Sequence, residues 1–184
     1  MTAGMARCMA LPAVALLLAA PAAPASAQRP GAVEIGALAR FTDFDNDLGM
    51  SNTVGAGGRL AVYVRPRLAF ELDMSRTSSD RSAGSATYTP LHARLVVGVG
   101  RHGRVEGLLG AGYVHNAYRG SLDATDGGFS GLIGVRYQLN NRVWLRIGTD
   151  LDIMFHPSSD SPFTFYHGNW GLHLGAGARL NGGS

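Results

Sequence analysis

Three features of the sequence predict an all-β fold, an eight-stranded antiparallel up-and-down transmembrane β-barrel. They are a series of segments that alternate apolar and polar residues, connections that alternate between short and long, and charges gathered with glycines on one strand face. A period of two sends successive side chains to opposite faces of a strand. No amphipathic helix separates the segments, so the crossover connections of a parallel sheet are excluded.

Each segment carries the pattern in turn. Val33–Phe44 sets Val33, Ile35, Ala37, Ala39 and Phe41 against Glu34 and Arg40. Thr53–Val64 sets Val54, Ala56, Leu60 and Val62 against Arg59. Leu68–Ser79 begins inside "RLAFELDMSR" (67–76), where Leu68, Phe70, Leu72 and Met74 oppose Glu71 and Asp73. Thr87–Gly100 opposes Leu91, Ala93, Leu95, Val97 and Val99 to His92 and Arg94. Arg104–His115 opposes Val105, Leu109, Ala111 and Tyr113 to Glu106, and Phe129–Leu139 opposes Phe129, Ile133, Val135 and Tyr137 to Arg136. Val143–Phe155 opposes Leu145, Ile147, Leu151, Ile153 and Phe155 to Arg146, Asp150 and Asp152. Tyr166–Leu180 closes the series, with Trp170, Leu172, Leu174, Ala176 and Leu180 opposed to His173 and Arg179. These segments exceed the roughly 5–6 residues of a globular strand and suit the roughly 9–11 of a tilted transmembrane one.

The connections "RPR" (65–67), "RHG" (101–103) and "NN" (140–141) read as tight turns. Between them "DNDLGMSN" (45–52), "DRSAGSA" (80–86), "NAYRGSLDATDGG" (116–128) and "HPSSDSPFTF" (156–165) read as longer polar loops. Strict alternation gives a meander with a short-turn end and a long-loop end, the asymmetry of outer-membrane barrels.

The charged face decides the orientation. Gly36, Gly55, Gly57, Gly112, Gly148 and Gly175 share it with the charges, and Gly weakens a strand unless something approaches its backbone closely. The lumen of an eight-stranded barrel is just wide enough for side chains to fill. Glycines there make room for arginines and carboxylates crossing the lumen, so the charged face is inside and the apolar face meets lipid. A closed barrel is also the only β-structure that pairs every backbone polar group within a bilayer. Phe41, Tyr113, Phe129, Phe155 and Trp170 form an aromatic girdle near the long-loop end, whereas at the short-turn end Tyr137 faces lipid but Tyr63 and Trp144 have inward parity.

The start of the chain reads differently. Arg7, the apolar run "ALPAVALLLAA" (10–20) and "PASAQ" (24–28) make residues 1–27 a secretory signal peptide, cleaved after Ala27, with the barrel domain in 28–184. Cys8 is the only cysteine, so the mature chain has no disulfide. Charged residues are 16% of the sequence, all sixteen basic residues are Arg, and the net charge of +3 is spread without a basic block. That argues against a nucleic-acid partner.

The stretches "VEIGALARFTDF", "RLAFELDMSR", "RVEGLLGAGYVHN", "GLIGVRYQL" and "LHLGAGARL" resemble the small eight-stranded outer-membrane barrels of the OmpA/OmpX type over residues 33–180. The resemblance implies a bacterial outer-membrane location. It implies as partners the membrane lipid and lipopolysaccharide, together with the barrel-assembly machinery during biogenesis. The family's last strand ends in an aromatic residue, where this chain has Leu180 followed by "NGGS".

The interior charges are the candidate site: Glu34, Glu71, Asp73, Glu106, Asp150 and Asp152 against Arg40, Arg59, Arg94, Arg136, Arg146 and Arg179. Equal numbers in a narrow lumen point to neutralising ion-pair networks, for which the planar guanidinium suits bidentate pairing. "DFDNDLG" (43–49) opens like a calcium loop, yet Leu48 and Val54 stand where an EF-hand needs Gly and Glu. His156, Ser158, Asp160 and His167 are the only nucleophile-type cluster, in a loop whose Pro/Ser/Asp composition is that of an ordinary turn. The expectation is a monomeric barrel with a structural or surface-interaction role and a largely closed lumen, not an enzyme, without metal or cofactor. The alternatives are a small porin and, third, a lipid-A-modifying enzyme.

Overall fold

The computed structural model describes residues 29–81, 83–155 and 168–180. Eight strands follow one another: β1 (Val33–Asp43), β2 (Thr53–Arg65), β3 (Leu68–Arg81), β4 (Gly84–His102), β5 (Val105–Gly120), β6 (Ala124–Gln138), β7 (Val143–Met154) and β8 (Trp170–Arg179). Each pairs antiparallel with its sequence neighbours, and β1 pairs with β8 from Glu34↔Arg179 to Asp43↔Trp170, which closes the barrel. Closure leaves no edge strand in the sheet. Apart from the strands, the described residues form one 3₁₀ turn, Asn46–Leu48.

The two faces separate as the alternation predicts. Leu174, Ile133, Val54 and Leu95 point outward and are more than half exposed. Glu71, Asp73, Arg94 and His173 on the opposite parity are buried. An exterior this apolar is the lipid-facing band of a transmembrane barrel. Tyr113, Phe129, Phe155 and Trp170 lie on it, and Phe41 meets Trp170 edge to face at 6.2 Å. Tyr63 and Trp144 are buried inside.

Two expected long loops are not loops. β3 and β4 run on to the pair Arg81↔Gly84, and β5 and β6 run on to Tyr118↔Ala124. Residues 80–86 and 116–128 are therefore mostly strand, and β3–β6 stand taller than the rest of the wall. The alternation fades there because residues beyond the lipid band no longer need an apolar outer face. Inward-facing Leu38, Val96, Leu108 and Leu132 were also hidden, because "LVV" (95–97), "LL" (108–109) and "LI" (132–133) carry apolar residues on both parities.

Candidate functional site

The strand registers bring the twelve charged residues into two groups inside the barrel. The larger group crosses the lumen from β3 and β4 to β1, β7 and β8. Arg146 grips Glu71 with both terminal nitrogens, at 2.6 and 3.1 Å. Arg94, only 1% exposed, donates Nη2 to Asp73 and Nη1 to Asp150, with Glu71 a further 3.4 Å away. Arg40 donates Nη2 to Asp73 at 2.7 Å and stands 3.0 Å from Asp150. His92 lies between Asp73 and Asp152, at 3.1 Å from each, and His173 Nδ1 is 3.0 Å from Asp150. Arg59 completes the set at 3.9 Å from Glu71, stacked over the Trp144 ring at 4.5 Å.

The smaller group sits towards the short-turn end. Arg136 donates Nη1 to Glu34 at 3.0 Å and to the Tyr63 hydroxyl at 2.5 Å, and Nη2 to Glu106. Arg179 donates to Glu34 at 3.3 Å. A Cβ on Gly98 would overlap the Glu106 carboxylate, so the glycine makes room for that side chain. Carboxylates equal guanidinium groups in both sets: Glu71, Asp73, Asp150 and Asp152 with Arg40, Arg59, Arg94 and Arg146, then Glu34 and Glu106 with Arg136 and Arg179.

Arrangements of this kind hold by mutual compensation. Taking an ion out of water costs several kcal/mol, and only close pairing with further hydrogen bonds offsets that. Guanidinium groups that each serve two or three carboxylates therefore fix the relative positions of the strands that carry them. Between the two groups lies a cavity of about 20 Å³, lined by Glu34, Arg59, Glu71, Arg136, Trp144 and Arg146 among others. That is space for about one water-sized guest. The ion-paired side chains of both groups line this space from opposite walls of the barrel.

Beyond the larger group, towards the long-loop end, a second layer spans the lumen. Tyr88 donates its hydroxyl to Asn116 at 2.9 Å, and Asn169 donates to the Tyr88 and Tyr118 hydroxyls at 3.2 and 3.1 Å. Phe44, Leu48 and Met50 of the β1–β2 connection fold in over these rings. That connection is strapped down by Arg81, whose Nε donates to the Leu48 carbonyl at 2.9 Å. Sequence reading missed this layer and the buried Asp126, having placed Asn116 and Asp126 in a loop. The inward parity of Tyr88, Asn116 and Tyr118 was the available signal. His92 and His173 had been placed on the charged face but not in the site.

The other candidates resolve differently. Asp45 caps the 3₁₀ turn, its carboxylate accepting from the Asp47 backbone N–H at 3.1 Å, and Gly49 ends the turn in the left-handed region. His156, Ser158, Asp160, His167 and the signal-peptide segment lie outside the described residues.

The chain matches the family described as outer membrane protein beta-barrel domain over residues 13–175. Among solved structures it is similar to Neisserial surface protein A, at 19% identity and a TM-score of 0.55, over 80% of this chain and 94% of that one. It is similar to the outer membrane protein OprG of Pseudomonas aeruginosa at 12% identity and a TM-score of 0.59, over 85% and 99% of the two chains. The N-terminal β-barrel domain of Pseudomonas aeruginosa OprF follows at 16% identity and 0.54, over 83% and 100%. At such identities the likeness is one of fold. No curated protein matches the chain in sequence.

Proposed function

The chain belongs to the outer membrane protein β-barrel domain family, and on that premise we propose that it is a structural and surface-interaction barrel whose lumen is closed by its own ion pairs. Membership of the family places it in the bacterial outer membrane. The observation that carries the closed lumen is Arg94, which joins carboxylates from β3 and β7 across the barrel. Residues 1–27 act in this reading as a cleaved export signal, and the mature barrel is a monomer surrounded by lipid and lipopolysaccharide after insertion by the barrel-assembly machinery. Its role in this reading is non-catalytic, in keeping with lumen carboxylates and guanidinium groups that, among the described residues, are engaged chiefly with one another. The taller β3–β6 wall and the loops at that end form the part available to surface partners.

Two measurements test the reading. The barrel in an outer-membrane fraction should resist detergent and change gel position only on boiling. Reconstituted into a planar bilayer, it should pass no steady current. Stepwise channel openings would instead favour a small porin, a reading supported by the cavity between the two charge groups.

A further inference from the structure

The polar groups lining the cavity between the charge groups differ in the partners they have. The two carboxylates are taken: Glu71 is held bidentately by Arg146, and Glu34 by Arg136 and Arg179. Arg136 and Tyr63 are engaged as well, but three donors are not. Arg59 is 7% exposed, and among the described residues its one ion pair is the 3.9 Å approach of Nε to Glu71, beyond hydrogen-bond distance. Its guanidinium lies on the Trp144 ring, so the face stacked on the indole is covered and the edge N–H groups meet no acceptor among the described residues. The Trp144 indole N–H and the Arg146 Nε–H are buried without an acceptor. All three residues line the same cavity, as does Arg67 from the exposed β2–β3 turn, which extends the lining towards the short-turn end.

Four guanidinium groups, Arg59, Arg67, Arg136 and Arg146, thus face two carboxylates around a space of about 20 Å³. Buried donors left without an acceptor, here the Trp144 and Arg146 N–H groups, forfeit the hydrogen bonds that water would give them. What relieves several donors at once, beside the Arg59 guanidinium that makes no hydrogen bond to a carboxylate, is a small acceptor bearing a negative charge. We propose that the barrel binds one small monatomic anion of the halide class in this cavity, with Arg59 as its principal cation and the Trp144 and Arg146 N–H groups as further donors. Entry is from the short-turn end, past Arg67. This site is independent of whether the lumen conducts, since it needs access from one end only.

The test uses the full barrel folded in detergent micelles, with iodide as the probe. A Trp170→Phe variant leaves Trp144 as the sole indole emitter. Iodide should quench Trp144 along a saturating curve, chloride should reverse the quenching at constant ionic strength, and gluconate should not. Adding Arg59→Gln should remove the saturable component. Quenching that stays linear in iodide, or equal reversal by gluconate, overturns the proposal. If the Arg59→Gln barrel fails to fold, the chloride and gluconate competition on the Trp170→Phe protein decides alone. A planar-bilayer current, tested separately, bears on the closed lumen and leaves this site untouched.

Discussion

Replacing Arg94 by Met tests the lumen network at its most connected point. Met replaces the stem of the side chain and stops two atoms short of the guanidinium tips, so stem packing is roughly kept while contacts to Glu71, Asp73 and Asp150 are lost. Arg40, His92 and His173 still reach Asp73 and Asp150, and Arg146 still holds Glu71. The larger group is then one positive charge short. Removing one member of a buried pair typically costs about 3–5 kcal/mol, because the partner is left uncompensated; an exposed pair would cost about 0–1 kcal/mol. Urea unfolding of the barrel in micelles, read by gel mobility without boiling, resolves that difference. Adding Asp150→Asn to Arg94→Met restores equal numbers of carboxylates and guanidinium groups. The double variant should then recover part of the loss, with a coupling of about 0.5–3 kcal/mol. The reasoning is refuted if Arg94→Met unfolds within about 0.5 kcal/mol of the parent, the range of an inconsequential surface change, or if the double variant is less stable than the single one.

Three further outcomes are expected. Glu106→Ala leaves Arg136 without one of its two carboxylates, so the barrel should lose about 3–5 kcal/mol and pass more current; unchanged unfolding together with an unchanged bilayer current would sink this. Gly177→Ala puts a methyl group into the Trp144 ring and against the Ile35 carbonyl. Overpacking should cost about 1–3 kcal/mol and shift the Trp144 emission, and a barrel with parental stability and spectrum would count against the packing described. Ile133, 63% exposed between Phe129 and Tyr137 on the outer face of β6, faces lipid. Ile133→Lys should therefore lose about 2–4 kcal/mol in lipid vesicles, whereas a neutral effect would mean that the residue faces water.

The sequence carried the barrel plainly because the bilayer enforces its pattern. Between Phe129 and Tyr137 each outward position of β6 must be apolar, so the period of two survives with little noise. Above that band the constraint lapses. Asn116, Tyr118 and Asp126 are as deeply buried as Glu71, yet their flanking outward residues include Arg119 and Thr125, which carry no apolar signal. The membership of the charged interior was legible from parity alone. Its partnerships were not. Arg94 reaches Asp150 on β7 and Arg136 reaches Glu34 on β1, across a lumen whose diameter and stagger no single strand encodes. The vacant donors of Arg59 and Trp144 depend on rotamers within that shared space, a level of detail below anything periodicity records.

The charges also account for why the alternation has one outcome. A one-residue slip between neighbouring strands turns every side chain of the slipped strand to the other face. In β8, with "WGLHLGAGAR", the apolar signal is strong, but glycine and alanine tolerate either side. For β4 a slip would carry Arg94 into lipid, where a cation at the bilayer midplane costs about 2–4 kcal/mol, and would strip Asp73 and Asp150 of a partner at the same time. Correct register thus gains twice from one residue, once by excluding the charge from lipid and once by pairing it inside. A lumen filled with leucine would satisfy packing equally well and leave both faces of each strand at home in lipid. The cost of burying charges is therefore offset by what they forbid, and the register of β3, β4 and β7, whose Asp73, Arg94 and Asp150 meet in one cluster, is the part of the barrel the sequence specifies most strongly.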